Sequence, residues 1–507
     1  MKIFVKSGNP EQAADIFLPL YTDTAYSRIA EVYPALPAFG LERALTDFRA
    51  ESGKTATLYN AEGSRLFLIG LGKPKSAGFS GVFRAARSVA VQLGRQLQPA
   101  ASLLLSHLAG SAEAEAGLTD AFVNGLVSGT YQLGSWKENA GSEPHPLDGE
   151  ESSLTLISAQ SPEHFEDIAS AARRGHLIGL AQKQVMHLVN MPSNLQTPPF
   201  LADVAREWGE NHGQKVTVFS GDEIEANQLF ALAAVNRGSE YPAQFIVMEY
   251  EPENAPESAP TVGLVGKGIT FDTGGLSIKT SAGMYFMKCD MGGAAVVLGF
   301  MEAAASLQLP VKLVAVVPVT DNLIDARSFK PSDIIGSYSG KTIEIMDTDA
   351  EGRLILADGL SWITEKYELD YLFDFATLTG ATVRAIGYAA AGMFTPDDAL
   401  AAACSEAGDL AGERVWRFPL WDEYADDLHS DVADVRNLSG KPVAGGISAA
   451  KFLEVFTREH PRWAHFDIAG VAFGESEFGK HKNGTGWGVR LLTELTAKLT
   501  KPETGTN

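Results

Sequence analysis

The sequence predicts an α/β protein with a smaller N-terminal domain, a linking helix and a larger C-terminal domain whose mostly parallel sheet is flanked by helices. Three observations predict it. Strand-like apolar runs alternate with helix-like runs along the chain. At 507 residues the chain is too long for one ordinary core. One helical pattern between the two alternating regions is long enough to join two domains, so we expect domains at 1–160 and 191–507 and a linking helix at 161–190.

The first 160 residues contain four strand-like runs, which read MKIFVK, SRLFLIGLG, ASLLLSHLA and SSLTLISA. A helical pattern rich in Ala and Arg runs from Gly81 to Leu97. Gly, Ser, Pro and acidic residues from Trp136 to Ser152 are typical of a surface loop. From Pro162 to Val189 apolar residues recur at helical spacing, which predicts the linking helix.

The C-terminal region continues the alternation with more apolar, β-branched runs, which read KVTVFS, QFIVMEY, TVGLVGKG, VKLVAVVPV and YLFDFATL. Helical patterns such as Gly292 to Ser306 separate these runs, which favours a mostly parallel sheet covered on both faces. Ligands of such sheets bind beyond the carboxyl ends of the strands. We therefore expect the functional residues at strand ends.

The composition, 45% hydrophobic and 21% charged, is that of a globular protein. Acidic residues outnumber basic ones by 63 to 41, and the net charge of −22 would repel nucleic acid and anionic membranes, so neither is an expected partner. Cys289 and Cys404 form no CxxC pair, and no run has the apolar length of a signal peptide core or a membrane span. We expect a cytoplasmic protein.

Charged residues are concentrated at three strand ends. The stretch VGKGITFDTGGLSIK carries Lys267, Asp272 and Lys279, MKCDMGGAA carries Asp290, and MDTDAEGRL carries Asp347, Asp349, Glu351 and Arg353. Carboxylates this crowded repel one another and need compensating cations, for which divalent metals are candidates. If the third stretch is extended, Asp349 and Glu351 point to the same side. With Asp272 and Asp290 they could hold two ions about 3.5–4 Å apart, as in co-catalytic hydrolase sites.

Each stretch has a plainer interpretation when taken alone, because glycine-rich segments are usually tight turns and a DxE pair is usually solvated. Lys267 and Lys279 lie in an apolar, glycine-rich stretch where an unpaired ammonium group would be costly. Their combination with four acidic residues favours a functional site.

Two alternative functions remain open at this point. The segment GSYSGKT, from Gly336 to Thr342, is one residue short of a phosphate-binding loop and leads into the strand-like KTIEIM rather than a helix. We interpret it as a hairpin turn and keep a nucleotide- or phosphate-binding protein as one alternative, with an inactive scaffold of the same fold as another. HExxH and GxSxG motifs are absent, and His187 and His465 are expected to be core or interface residues rather than metal ligands.

The run DTDAEGRL, from Asp347 to Leu354, resembles the NTDAEGRL signature of the cytosolic leucyl aminopeptidases, the two-zinc leucine aminopeptidase family. Companion stretches that resemble the family in the same order are VGKGITFDTGG, MKCDMGGAA, FATLTGA, SDVADVRNLSG, WAHFDIAG and TGWGVRLL. The likeness extends from about Leu188 to Leu492. The N-terminal region resembles the family only in its α/β character.

The resemblance implies that residues 191–507 form the catalytic domain of a metal-dependent aminopeptidase, which acts on peptides as a homohexamer with two divalent ions per subunit. By position in the motifs, Lys267, Asp272, Asp290 and Glu351 would hold the tighter ion, and Asp272, Asp349 and Glu351 the more exchangeable one. Zinc is the usual ion, and Mn²⁺ or Mg²⁺ is possible at the exchangeable site.

The resemblance also implies residue roles. Water bridging the two ions would become hydroxide and attack the peptide carbonyl. Lys279 would stabilise the oxyanion, and Arg353 would hold a bicarbonate ion that accepts a proton.

The pocket for the first substrate residue would be lined by Met287, Thr377, Gly380, Ala469 and Ala472. It is apolar in composition, so N-terminal Leu, Met and similar residues are the expected products. Asp347 replaces the family's asparagine beside the second substrate residue. The change is either a nearly neutral substitution on a strand edge or, as the sharper hypothesis, one whose charge favours Lys or Arg as the second residue.

Overall fold

The computed structural model describes residues 1–10, 15–74, 78–134, 136–138, 144–253 and 255–500. They divide into two compact units, one formed by Met1–Lys183 with Glu477–Lys480 and the other by Gln184–Ser476 with the residues from His481 onward. Both units are α/β, which confirms the predicted fold class. Part of the predicted loop at 136–152 lies outside the described residues.

The first unit is built on a six-stranded sheet among the described residues. Its strands are β1 (Lys2–Lys6), β2 (Asp15–Tyr21), β3 (Thr55–Tyr59), β4 (Arg65–Gly72), β5 (Ala100–Leu104) and β6 (Ser153–Ile157), and its helices are α1 (Tyr26–Val32), α2 (Leu41–Asp47), α3 (Phe79–Leu93) and α4 (Ala112–Gly129). The strand order is β1-β6-β5-β2-β4-β3, with all neighbours parallel except β3, which runs antiparallel to β4.

The core of this unit follows from the apolar character of its strands and of α3. Phe17 of β2 packs against Phe67 of β4 and Phe122 of α4, with ring centroids 5.8 and 6.0 Å apart. Val82 and Val89 lie on the buried face of α3, two turns apart. Helix α3 begins two residues before the predicted start at Gly81. It ends four residues before the predicted end at Leu97, because Gly94 takes a positive φ of 46° and stops the helix.

A long helix, α5 (Phe165–Asn190), occupies most of the predicted linking segment. A short 3₁₀ turn, Pro162–His164, precedes it. The boundary between the two units falls within this helix, between Lys183 and Gln184.

The second unit contains the remaining elements. The strands are β7 (Lys215–Ser220), β8 (Gln244–Tyr250), β9 (Thr261–Gly266), β10 (Gly268–Asp272), β11 (Lys312–Asn322), β12 (Ile334–Ile335), β13 (Ile343–Glu344), β14 (Tyr371–Ala376), β15 (Ala391–Phe394), β16 (Val415–Arg417), β17 (Val435–Arg436), β18 (Trp463–Asp467), β19 (Phe473–Gly474) and β20 (Asn483–Gly484). The helices are α6 (Pro198–His212), α7 (Asp222–Ala226), α8 (Phe230–Asn236), α9 (Ser281–Met284), α10 (Gly292–Ser306), α11 (Gly352–Lys366), α12 (Gly380–Ile386), α13 (Asp398–Ala411), α14 (Gly445–Glu454) and α15 (Val489–Leu499).

The main sheet of this unit has the order β16-β15-β18-β14-β9-β11-β8-β7, with β10 also beside β11. Strands β18, β14, β9 and β11 are mutually parallel, as predicted, while β8 and β7 add antiparallel pairs at one edge. A Cβ built on Gly359 of α11 would contact Val265 of β9, and one built on Gly266, the next strand residue, would contact Ala294 of α10. Successive strand residues face opposite sides, so α10 and α11 cover the two faces.

The short strands β12 and β13 pair antiparallel, with Ile334 opposite Glu344 and Ile335 opposite Ile343. The GSYSGKT segment is therefore the loop of a hairpin, as predicted. Within the part of the chain that the structure describes, no helix is both long and apolar enough to cross a membrane.

Candidate metal and substrate site

The carboxyl end of β9 positions the first site residue. Lys267 follows the strand directly, and its backbone N–H donates to the carbonyl of Phe375 in the neighbouring β14 at 3.0 Å. The chain then enters β10, which the sequence pattern did not predict, and β10 ends at Asp272. Lys267 and Asp272 are both buried, so two charged groups lie at adjacent strand ends with little access to water.

A tight turn after β10 brings Lys279 back to Asp272. Gly274 has a positive φ of 85°, which L side chains rarely adopt, and its N–H donates to Asp272 Oδ1 at 2.8 Å. The N–H of Lys279 donates to the carbonyl of Thr273 at 2.9 Å, which closes the loop. Lys279 Nζ consequently lies 2.7 Å from Asp272 Oδ2 and also contacts Asp349 Oδ1.

The segment from Asp347 to Glu351 is a turn rather than the extended segment that we expected. Asp347 Oδ1 accepts a hydrogen bond from the N–H of Asp349 at 2.8 Å, which folds the segment back on itself. Glu351 takes helical backbone angles and stands at the N-cap position of α11. The alternation argument for Asp349 and Glu351 was therefore wrong. Their carboxylates share the site because the turn and the helix start place them there.

Lys267 Nζ lies between two buried carboxylates, 2.8 Å from Asp290 Oδ2 and 3.0 Å from Glu351 Oε1. Oxygens of Asp272, Asp290 and Glu351 all lie within 4.8 Å of one another. The side chains from the three separate stretches therefore converge, with Asp349 joined to the group through Lys279.

The pKa values of the buried charged residues at the site are shifted from their ordinary values. Burial alone would lower the pKa of Lys267. The negative charges of Asp290, Glu351 and Asp272 together outweigh this effect and hold the pKa above its ordinary value. Burial, followed by repulsion from Asp272, raises the pKa of Glu351, and burial is also the main cause that raises the pKa of Asp290. Four carboxylates face two ammonium groups, so the cluster carries excess negative charge that further cations would compensate.

The donor set fits divalent ions. Glu351 Oε2 is buried without a hydrogen-bond partner among the described residues, which is costly unless something else satisfies it. Asp290 is oriented by the hydroxyl of Thr377, which donates to Oδ1 at 2.8 Å. Asn322 donates to Asp272 Oδ1 at 2.9 Å. Carboxylates held in place by neutral donors are the usual arrangement around a metal site.

Arg353, in the first turn of α11, is buried, and Nη1 donates to the carbonyl of Asn437 at 2.8 Å. Its Nε has no hydrogen-bond partner among the residues that the structure covers. Burial lowers the pKa of Arg353 to about 10, so the guanidinium group stays protonated at neutral pH. A buried cation with a spare donor fits an anion such as bicarbonate.

These charged residues line one cavity of about 740 Å³. The predicted substrate-binding residues Met287, Asp347, Thr377, Gly380 and Ala469 line it too. Ala472 is not among the lining residues. It lies near Thr377, since a Cβ built on Gly292 would lie 3.1 Å from Thr377 Cγ2 and 3.2 Å from Ala472 Cβ.

Several lining residues were not anticipated from the sequence. Phe286 and Phe473, with ring centroids 5.6 Å apart, add apolar wall, and Arg384, Tyr388 and Lys482 add polar and charged groups. Arg384 lies in α12, one turn after Gly380 of the motif FATLTGA, so helical spacing from that motif was the signal that could have identified it.

Four of the seven backbone N–H groups of the GSYSGKT loop donate to protein oxygens, which argues against a phosphate cradle. The N–H of Tyr338 donates to Asp358 Oδ1 at 2.7 Å, and the N–H and hydroxyl of Thr342 donate to Asp434. Asp358 also accepts from the N–H of Leu232 at 2.9 Å, so this carboxylate ties the loop to the start of α8. The loop is thus a structural hairpin.

The histidines lie outside the cavity lining. His465 is fully buried, and its Nδ1 lies 2.5 Å from Asp374 Oδ1. The other oxygen of this carboxylate, Oδ2, accepts a hydrogen bond from the indole N–H of Trp463. This agrees with a core position for His465. His187 is half-buried on α5.

Two sequence profiles of one family match the chain. The profile described as the catalytic domain of the cytosol aminopeptidase family matches residues 183–493, and that family's N-terminal domain matches residues 41–139. The chain belongs to the cytosol aminopeptidase family. It is therefore an aminopeptidase, a class of hydrolase, and the family is metal-dependent.

Relatives and solved structures agree with this assignment. The chain is 41% identical over 463 residues to the "Probable cytosol aminopeptidase" of Chlorobium limicola, covering 90% of this chain and 91% of that protein. It is 43% identical over 463 residues to the protein of the same name from Chlorobaculum tepidum, covering 89% and 90%. The structure of the bottromycin maturation enzyme BotP in complex with Mn superposes with a TM-score of 0.82 at 32% identity, covering 96% of this chain and all of that chain.

Proposed function

We propose that this aminopeptidase holds two divalent ions per subunit and releases Leu, Met and similar residues from the N-termini of peptides. The observation that carries the proposal is the convergence of Lys267, Asp272, Asp290, Asp349 and Glu351 in one cavity. The catalytic chemistry then resides in residues 191–507, where all of these side chains lie.

One ion would be held by Asp272, Asp290, Glu351 and the neutral amine of Lys267, and the other by Asp272, Asp349 and Glu351. The charge of the ions would lower the pKa of Lys267, so that its amine loses the proton to solvent and can bind. When bound, the ions would supply Lewis acidity and an activated water for attack on the peptide carbonyl. Zn²⁺ is the proposed ion, with Mn²⁺ or Mg²⁺ at the second position, where the proposed ligands are all carboxylates. The manganese in the BotP structure supports Mn²⁺ among these ions.

In this structure the ammonium groups of Lys267 and Lys279 compensate the negative charge of the four carboxylates. Divalent ions bound to these carboxylates would compensate that charge instead. Lys279 would then be free to face the carbonyl oxygen of the scissile bond, where a fixed positive charge stabilises the developing oxyanion. We assign Lys279 this catalytic role because it lines the cavity beside Asp272 and Asp349.

Arg353 is the second proposed catalytic residue. Its buried guanidinium group would bind bicarbonate through the donor that lacks a partner. When bound there, bicarbonate would supply a proton acceptor for the attacking water. The proposal assigns Arg353 the binding of this anion and no direct proton transfer, since it stays protonated at neutral pH.

The cavity wall supports release of apolar residues. Met287, Phe286, Phe473 and Ala469 present apolar side chains to the cavity. Because one methylene in such a pocket changes the free energy by only about 1–3 kcal/mol, the specificity among Leu, Met and similar residues would be broad.

The proposed oligomeric state of the enzyme and its proposed place in the cell both rest on the family resemblance. We propose a homohexamer that acts on peptides in the cytoplasm, with no nucleic acid or membrane partner. The family's descriptive name, cytosol aminopeptidase, supports the location.

Metal analysis combined with a substrate panel tests the proposal. The purified protein should contain about two divalent ions per chain and hydrolyse Leu-p-nitroanilide, and acetylation of the substrate's α-amino group should abolish hydrolysis. Chelation should remove the activity and added Zn²⁺ or Mn²⁺ should restore it. Hydrolysis that persists without bound metal, or that tolerates the blocked amine, would contradict the proposal.

A further inference from the structure

The cavity that contains the predicted first-residue pocket is also lined by two cations, Arg384 and Lys482, which we call its cationic edge. We infer that Arg384 and Lys482 bind a carboxylate there, so that the enzyme also releases N-terminal Glu and, less efficiently, Asp. This inference rests on the proposed function, because it concerns the substrate class of the same site.

The position of Arg384 follows from the geometry of α12. Gly380, Val383 and Arg384 share one face of this helix because residues three and four apart are neighbours on a helix surface, and all three line the cavity. A Cβ built on Gly380 would lie 3.3 Å from Arg384 Nη1. The guanidinium group therefore folds back over Gly380, the residue proposed to line the first-residue pocket.

Lys482 reaches the same edge from the other end of the chain. Its Nζ donates to the hydroxyl of Tyr388 at 2.7 Å and lies 4.4 Å from the centroid of the Tyr388 ring. Tyr388 lies two residues beyond the end of α12, and Arg384, Tyr388 and Lys482 all line the cavity. The pair of Lys482 and Tyr388 thus adds a second cation to the lining that holds Arg384.

Neither cation has a carboxylate partner among the described residues. The two lysines deeper in the cavity differ, since Lys267 and Lys279 each contact two carboxylates. In a chain with 63 acidic and 41 basic residues, two cations without an acidic partner beside a substrate cavity leave donors available to an anionic ligand.

The two predicted substrate pockets carry different charges. Asp347, predicted to lie beside the second substrate residue, lines the cavity, and its N–H and that of Met346 donate to Asn437 Oδ1. Arg384 lies over Gly380, which is predicted to line the pocket for the first residue. A carboxylate on the first substrate residue would therefore meet the cations, whereas one on the second residue would meet Asp347.

The bound group would be a side-chain carboxylate, which a guanidinium group binds through two parallel hydrogen bonds. Glu extends one methylene further than Asp and so reaches the edge more readily. Gln has the same shape as Glu without its charge, so the comparison of Glu with Gln isolates the electrostatic contribution.

The test measures kcat/KM for Glu-, Gln- and Leu-p-nitroanilide with the metal-loaded enzyme. The wild type should hydrolyse the Glu substrate at least as well as the Gln substrate, whereas a pocket without cations would disfavour the charge. Arg384→Met combined with Lys482→Met should lower the Glu-to-Gln ratio about tenfold, the effect expected for loss of charge-assisted hydrogen bonds. Raising the ionic strength should lower the wild-type ratio, because the edge is solvent-accessible.

A surface cation supplies the matched control. Arg206 is exposed on α6 and pairs with Asp203 at 2.8 Å, so Arg206→Met should leave the Glu-to-Gln ratio unchanged. Wild-type hydrolysis of Leu-p-nitroanilide together with a Glu-to-Gln ratio far below one, or a ratio that the double substitution does not alter, would overturn the acidic subsite and leave the proposed function standing. Absence of hydrolysis of the Leu substrate would overturn the proposed function itself.

Discussion

Gly352 lies directly against Lys267. A Cβ built on Gly352, the first residue of α11, would lie 2.5 Å from Lys267 Nζ, closer than atoms that are not bonded can approach. The absence of a side chain at position 352 therefore allows the lysine to reach Glu351 and Asp290. The glycine in the AEGRL run serves the geometry of the proposed metal site rather than a turn conformation.

Gly352→Ala should therefore displace the amine of Lys267 and lower kcat/KM for Leu-p-nitroanilide by about a hundredfold, as expected for a misplacement of about 1 Å at a reacting centre. The fold should persist, because Ala is favoured over Gly in helices. Thermal melting checks the fold and steady-state kinetics check the activity. Gly359→Ala, two turns later on the same helix, contacts Val265 rather than Lys267 and is the control for altered helix packing. Wild-type activity in Gly352→Ala would show that the position of Lys267 is not critical.

Glu351 is the carboxylate proposed to bridge both ions, so removal of its charge should affect both. Glu351→Gln preserves the side-chain shape and an oxygen facing Lys267, but it should reduce the metal content below two ions per chain and lower kcat/KM at least about a hundredfold. Elemental analysis and hydrolysis of Leu-p-nitroanilide measure the two effects. Glu365→Gln, at an exposed position on the same helix, should change neither. Full metal content and full activity in Glu351→Gln would refute the ligand assignment.

The sequence identified the proposed metal ligands because their chemistry is local. Lys267 follows a strand and Asp290 precedes a helix whose apolar patterns are clear, Asp272 comes five residues after Lys267, and the carboxyl ends of parallel strands lie at one edge of a sheet. The expectation that these side chains converge needed no knowledge of distant contacts. The resemblance to a known family then supplied their roles.

The turn at Asp347 and the position of Lys482, which were not predicted, depend on contacts between residues distant in sequence. The turn at Asp347 is held by Asn437, 90 residues away, whose amide donates to the carbonyl of Asp347 and whose Oδ1 accepts from the N–H of Met346. No local pattern distinguishes that turn from an extended segment. Lys482 likewise reaches the cavity through the fold of the chain, in contact with Tyr388, 94 residues earlier.

Asp347 lines the cavity and is half-buried, so its charge can act on the second substrate residue. Asp347→Asn should lower the ratio of kcat/KM for Leu-Arg over Leu-Leu by about threefold, the size expected for a partly solvated ion pair. Asn keeps an oxygen that can accept from the N–H of Asp349, so the turn is preserved. The wild-type ratio should also fall with ionic strength. A ratio unchanged by the substitution would show that Asp347 takes no part in selecting the second residue.

His107 in the N-terminal unit should make the protein sensitive to acid. The side chain is buried, its Nε2 lies 2.8 Å from the carbonyl of Pro19, and Tyr33 packs against the ring at a centroid distance of 5.8 Å. Burial, with a smaller contribution from the charge of Arg28, lowers the pKa of His107 to about 4. The folded protein therefore holds a neutral imidazole that the unfolded chain would protonate below about pH 6.5.

The sign of the effect follows from this difference in proton binding. The unfolded state binds more protons between pH 6.5 and 4, so the stability that neutral His107 confers is complete above pH 6.5 and is lost as the pH falls towards 4. The loss should reach about 2–3 kcal/mol at pH 4.5. His107→Gln keeps an N–H donor for Pro19 but does not titrate, so it should reduce the drop in unfolding free energy from pH 7.5 to 4.5 by about that amount. His164→Gln, at an exposed position in the same unit, is the control and should leave the drop unchanged. Urea unfolding at the two pH values measures the effect, and equal drops in the wild type and His107→Gln would exclude His107 as the acid-sensitive group.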